Sequence, residues 1–137
     1  MILEATQVVS QNVKASLVKY ESIRFKWGVH DCCLFSANVI KDTIGIDYAK
    51  DFRNKYSSEE EAWNIVNYDL KSFITKLFNT PLEYNFEECK TGFPVGMKQP
   101  QGYSIGIAYG CRAYFVTELN RYLKVPLRKC EGFWRIF

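Results

Sequence analysis

The sequence predicts an α+β domain in which N-terminal helices pack on one side of a C-terminal antiparallel sheet. Three observations point there. Apolar residues recur at three- and four-residue intervals through roughly the first 79 positions. Pro81 then marks a change of regime. Beyond it, short aromatic or branched runs alternate with turn residues, the pattern of hairpins. Helices first and a meander second is the order of an α+β domain. At 137 residues the chain is expected to form one domain, 1–137, helical over about 1–79 and β over about 80–137. That length buries a core without disulfide or metal staples.

From about Thr6 to Ser22, Val9, Val13, Leu17 and Tyr20 form an amphipathic stripe. Residues 24–30 break the pattern and carry Gly28. Asp31 is a good N-cap for a second helix through Leu34, Ala37, Ile40 and Ile44, and Gly45 is placed to end it. Ser58-Glu59-Glu60-Glu61 is a capping box that starts a helix through Trp63 and Val66. Leu70, Phe73, Ile74 and Leu77 continue the period to about Phe78, after a bend near Tyr68. Strands are expected at Pro94–Lys98, Tyr103–Tyr109, Arg112–Thr117, Tyr122–Pro126 and near Phe133–Phe137, with turns at Gly110-Cys111 and 118–121.

Composition narrows the function classes. The apolar fraction is 47% with 22 aromatic residues, 3 Trp, 9 Tyr and 10 Phe, which argues for a folded globule. The N-terminus has no positive leader and no apolar run of secretory length, so it is expected to be made and kept in a cytoplasm unless an assembly carries it out. No segment approaches the ~20 apolar residues of a membrane span. Five cysteines without an export signal argue against a disulfide framework. Cys89, Cys111 and Cys130 are scattered singly and read as buried small apolar residues. With no C-x-x-C spacing and a single histidine, no metal or other cofactor is implied. Charge is uneven: residues 51–89 hold eight acids and four bases, residues 90–137 two acids and eight bases. The bases are spread along strand-like segments without a basic run, which argues for a solvated sheet face and against nucleic acid.

The stretch Trp27-Gly28-Val29-His30-Asp31-Cys32-Cys33 carries the chemistry. If Asp31 caps the helix, Cys32 and Cys33 sit among unpaired backbone N–H groups at the positive end of the dipole, where a thiolate is favoured. Successive helical positions differ by about 100°, so one thiol alone is expected to face a cleft. Trp27 is expected to anchor the core. His30 is expected to hold the Trp27-Gly28 corner through backbone hydrogen bonds, the alternative being that it serves a thiol as base.

This order of elements resembles the papain-like NlpC-type cell-wall peptidases. Asp31-Cys32 matches the Asp-Cys helix start of their motif, with Cys33-Leu34 where Ser-Gly usually stands. Residues 104–110 look like the family's His-Val-Gly-Ile strand and its turn glycine. A closer resemblance is to small NlpC-like proteins encoded in phage tail gene clusters. It is carried by Phe25-x-Trp27-Gly28-x-His30-Asp31-Cys32, Gly45-x-Asp47, an Arg53–Tyr56 corner, Gly106-Ile107, Gly110, Val125-Pro126-Leu127, Cys130 and Trp134-Arg135. It covers roughly 20–60 and 100–137.

The resemblance implies an NlpC-type fold with Cys32, His30 and Asp31 as candidate or vestigial catalytic residues. It also implies other tail or baseplate proteins as partners, peptidoglycan stem peptide as a substrate class, and the virion tail as location. One departure bears on activity. The position of the strand histidine is Ser104, and residues 31–137 contain no histidine. A serine hydroxyl cannot take up a proton near neutral pH, so it does not replace imidazole as acid or base. The family's second polar residue falls near Val116 or Thr117, and Phe25 stands where an aromatic hydroxyl is often found.

The expectation is therefore a tail-tip or baseplate structural protein on a degenerate, inactive peptidase fold. The alternative is a working cell-wall cysteine peptidase or amidase with Cys32 as nucleophile and an unusual base. A third reading is a cytoplasmic protein-binding module with an Asp-Cys helix cap.

Overall fold

The computed structural model describes residues 2–137, with side chains from residue 5 onward. Four helices precede and flank a six-stranded sheet. They are α1 (Ile2–Glu21), α2 (Cys32–Ile44), α3 (Glu59–Ile65) and α4 (Leu70–Phe78). The strands are β1 (Leu82–Glu83), β2 (Pro94–Gln99), β3 (Gly102–Tyr109), β4 (Arg112–Val116), β5 (Tyr122–Pro126) and β6 (Gly132–Trp134). Every pairing is antiparallel, in the order β1-β6-β2-β3-β4-β5. The α+β architecture is the one expected from the order of patterns.

Caps explain the helix bounds. The Asp31 carboxylate accepts from the Leu34 N–H at 2.9 Å, and Gly45 closes α2 in the left-handed conformation (φ 79°). Ser58 caps α3 and Asp69 caps α4 through their side chains. The bend between α3 and α4 is made by Asn67 and Tyr68, both at positive φ.

Strand alternation sorts two apolar layers. Ile105 and Ile107 of β3 face the helices, where Ile107 meets Val13, Leu17, Phe35 and Val39, and Ile105 meets Leu70, Ile74 and Trp134. Ala108, Ala113 and Phe115 face a second cluster with Phe93, Val95 and Phe133 on the far side of the sheet. Full burial stabilises each large side chain by ~1.5–3 kcal/mol.

Two expectations need correction, and three short elements had no expectation before them. The last strand is Gly132–Trp134, because its ladder partners are Val95 and Gly96 on β2 and the short β1; Arg135 beyond it turns to a bidentate pair with Glu83. The two-residue β1 and two single 3-10 turns, Phe86–Glu88 and Leu127–Lys129, have no pattern in the sequence. Of the scattered cysteines, Cys130 is buried, Cys89 half-buried and Cys111 exposed at a hairpin turn. No helix among the described residues is long and apolar enough to cross a membrane.

Candidate functional site

The corner before α2 is built by close backbone approach. Gly28 sits at φ 81°, and a Cβ placed there would lie 1.9 Å from the carbonyl oxygen of Tyr56. The Asn54 N–H donates to the Gly28 carbonyl at 2.9 Å. The 53–56 corner is fixed in turn by Arg53, whose guanidinium makes a fork with Asp47 at 2.9 and 3.2 Å. That pair holds the Asp47 carboxyl below the usual range, against an opposing effect of burial. Asp31 joins both corners: it accepts from the Gly28 N–H at 3.0 Å, from Leu34 and from the Tyr56 hydroxyl. Burial, then the charge and hydrogen bond of Asp31, push the Tyr56 phenol far above its ordinary value.

Cys32 and Cys33 open α2, with sulfur atoms 3.9 Å apart. Both line a cleft of about 580 Å³, contrary to the expectation that one thiol alone would face it. Cys32, Cys33, Ser36 and Ala37 all border it, so the cleft runs along an arc of helix wider than one residue step. The Cys32 contact, followed by burial, pushes the Cys33 thiol well above its ordinary value, so Cys33 stays protonated. Ser36 donates to the carbonyl of Cys32 at 2.8 Å and approaches that of Ile105 at 3.4 Å, tying the thiol-bearing turn to β3.

The cleft takes residues from α2, the 47–56 segment, α3, α4, β3 and the β4–β5 turn. Its walls are largely apolar and include the aromatic rings of Phe25, Trp27, Phe52, Trp63, Phe73 and Tyr103. Trp27 is thus half-exposed on the cleft wall, edge-on to Phe25 at 5.0 Å, and not a core anchor as expected. Ser104, Val116 and Thr117 also line the cleft.

His30 is elsewhere. It is 3% exposed, packs against Tyr20 and Phe35 with ring centroids 6.0 and 6.1 Å away, and borders a separate small pocket with Tyr122 and Asn120. Its backbone closes the expected corner: its N–H donates to the Lys26 carbonyl at 2.8 Å and its carbonyl accepts from the Lys26 N–H at 3.0 Å. Burial, opposed by the Asp31 charge, lowers the imidazole below its ordinary value, so the ring is neutral at physiological pH. Among the described residues no histidine, lysine or arginine lines the cleft. No group of three or more metal-ligating side chains is assembled among them either.

Sequence reasoning gave Tyr56 no separate role and did not reach the wall made by α3 and α4. The local signals there, the capping box of α3 and the Leu70–Leu77 apolar period of α4, mark helices and not a cleft. The sequence model of the domain of unknown function DUF6950 matches residues 6–136, nearly the whole chain. The chain belongs to the DUF6950 family. No curated protein matches it. In this DUF6950 domain the match covers α1 from residue 6, the other three helices and all six strands, and with them the cleft.

Proposed function

We propose that this protein is a phage tail-tip or baseplate component built on a degenerate NlpC-type cysteine-peptidase fold, with a catalytically silent cleft that holds a segment of a neighbouring protein. The observation that carries the silent cleft is the position of the only histidine. Cys32 lines the cleft, while His30 is buried against Tyr20 and Phe35 beside another pocket. Amide cleavage needs a group that takes the thiol proton and returns it to the leaving amine. Asp31 is occupied by three donors, and Glu59 and Glu118 stand exposed at the rim. Loss of such an acid–base group costs ~10²–10⁴-fold in rate.

The tail assignment rests on the sequence resemblance over roughly 20–60 and 100–137. The large apolar cleft supports a binding role, since concave apolar sites of roughly 300–1,000 Å³ are the common form of ligand pockets. Two experiments test the reading. Purified peptidoglycan incubated with the protein is expected to release no new amino termini above a Cys32→Ala control. Cys32-dependent release would make it a working peptidase. Mass spectrometry of purified particles of the encoding phage is expected to find the chain in tails, and its absence there would overturn the assembly role.

A further inference from the structure

The charges around the cleft say what kind of segment fits, and this inference rests on the binding role proposed above. The chain holds 18 lysines and arginines and a net charge of +3. None of those cations lines the cleft among the described residues. The charged side chains that do are Asp31, Glu59 and Glu118. Asp31 is committed to Gly28, Leu34 and Tyr56. Glu59 and Glu118 are exposed and come from opposite parts of the chain, the start of α3 and the β4–β5 turn.

Aromatic side chains line the same cleft, Trp27 and Trp63 among them. Trp63 packs over Gly102, where an added Cβ would lie 2.6 Å from its ring, and stacks on Tyr68 at 6.5 Å. Aromatic faces and carboxylates both attract cations. An anionic ligand meets like charge and no donor cation, a mismatch that suppresses binding. We infer that the cleft receives a partner peptide segment with apolar anchors and a lysine or arginine at its flank, and that Glu59 and Glu118 meet that cation. The apolar residues fill the walls, and the rim carboxylates set orientation and choice of partner.

The test uses two synthetic peptides of about eight residues with one shared leucine–phenylalanine core, flanked in one by lysines and in the other by glutamates. Binding to the full chain is followed by tryptophan fluorescence. The lysine peptide is expected to bind at least about tenfold more tightly at low salt, and added salt is expected to shrink the difference. The Glu59→Lys/Glu118→Lys double variant, altered at exposed positions, is expected to reverse the order. Equal binding, preference for the glutamate peptide, binding of neither, or a preference that survives charge reversal would overturn the inference. Mass spectrometry of the recovered peptides judges the parent reading separately. Cys32-dependent cleavage overturns the silent cleft whichever peptide binds, and intact peptides uphold it.

Discussion

The Tyr56 hydroxyl donates to the Asp31 carboxylate, whose other oxygen caps the cysteine-bearing helix. Residues 25 positions apart thereby fix one helix start. Tyr56→Phe removes one of three donors from a buried carboxylate and is expected to cost ~1.5–3 kcal/mol in urea unfolding. The phenol is also held protonated above its ordinary value by burial and by Asp31. An unfolded tyrosine ionises near pH 10, so the folded state retains its proton where the unfolded state has lost it. Stability from this group is full below about pH 10 and falls as pH rises above it. Tyr56→Phe should flatten that alkaline limb.

Gly28→Ala tests the backbone approach behind the same corner. The substituted residue would need φ near 81° and would drive its methyl group into the Tyr56 carbonyl at 1.9 Å. A loss of more than about 2 kcal/mol is expected from strain at this φ together with the displaced 53–56 corner. Gly45→Ala is the contrast. Its φ is also positive, at 79°, but no atom lies within 4 Å of the added Cβ. Its cost should stay near ~1 kcal/mol, and an equal loss at both sites would contradict the account.

Glu131 ties the sheet to α4. It accepts from Lys71 at 3.1 Å, Lys98 at 2.9 Å and the Tyr103 hydroxyl at 2.8 Å. Burial alone would raise its carboxyl, but the hydrogen bonds from Lys98, Tyr103 and Lys71 outweigh it and hold it at about 2. The folded value is depressed, so the stabilisation is present above the unfolded value near 4.5 and is lost as pH falls from there toward 2. Glu131→Gln should cost ~1–2 kcal/mol at neutral pH, since both lysines are partly solvated and recover water. The same variant should weaken the acid dependence of unfolding.

Legibility in the sequence followed locality. The bounds of α2 were readable because both of its caps, Asp31 and Gly45, act within a few residues. The strand β5 matched because the 118–121 turn opens it and Pro126 ends it. The strand β1 was not readable, since its two residues become a strand only by pairing with Phe133 and Trp134. The far cleft wall was hidden for a related reason. No residue of α3 is fully buried, and Trp63 finds its packing partners outside its own helix, at Gly102, Tyr68 and the cluster of Leu70 and Ile105. Trp134 and Arg135, singled out by resemblance, are structural: the Trp134 indole donates to Thr75 at 3.1 Å and Arg135 pairs with Glu83. Cys111 lies exposed because a two-residue hairpin leaves no room to bury it.

The central claim is that the cleft thiol has no imidazole partner, and the alkylation rate of Cys32 tests it most directly. Iodoacetamide labelling, resolved by peptide mass spectrometry over roughly pH 6–9, would be compared between the wild type and His30→Gln, with circular dichroism confirming the fold. The account predicts superimposable pH profiles at Cys32, because His30 lies beside a different pocket. A Cys32 profile that loses an inflection in the imidazole range, or slows by more than about tenfold in the variant, would contradict it and restore a catalytic dyad.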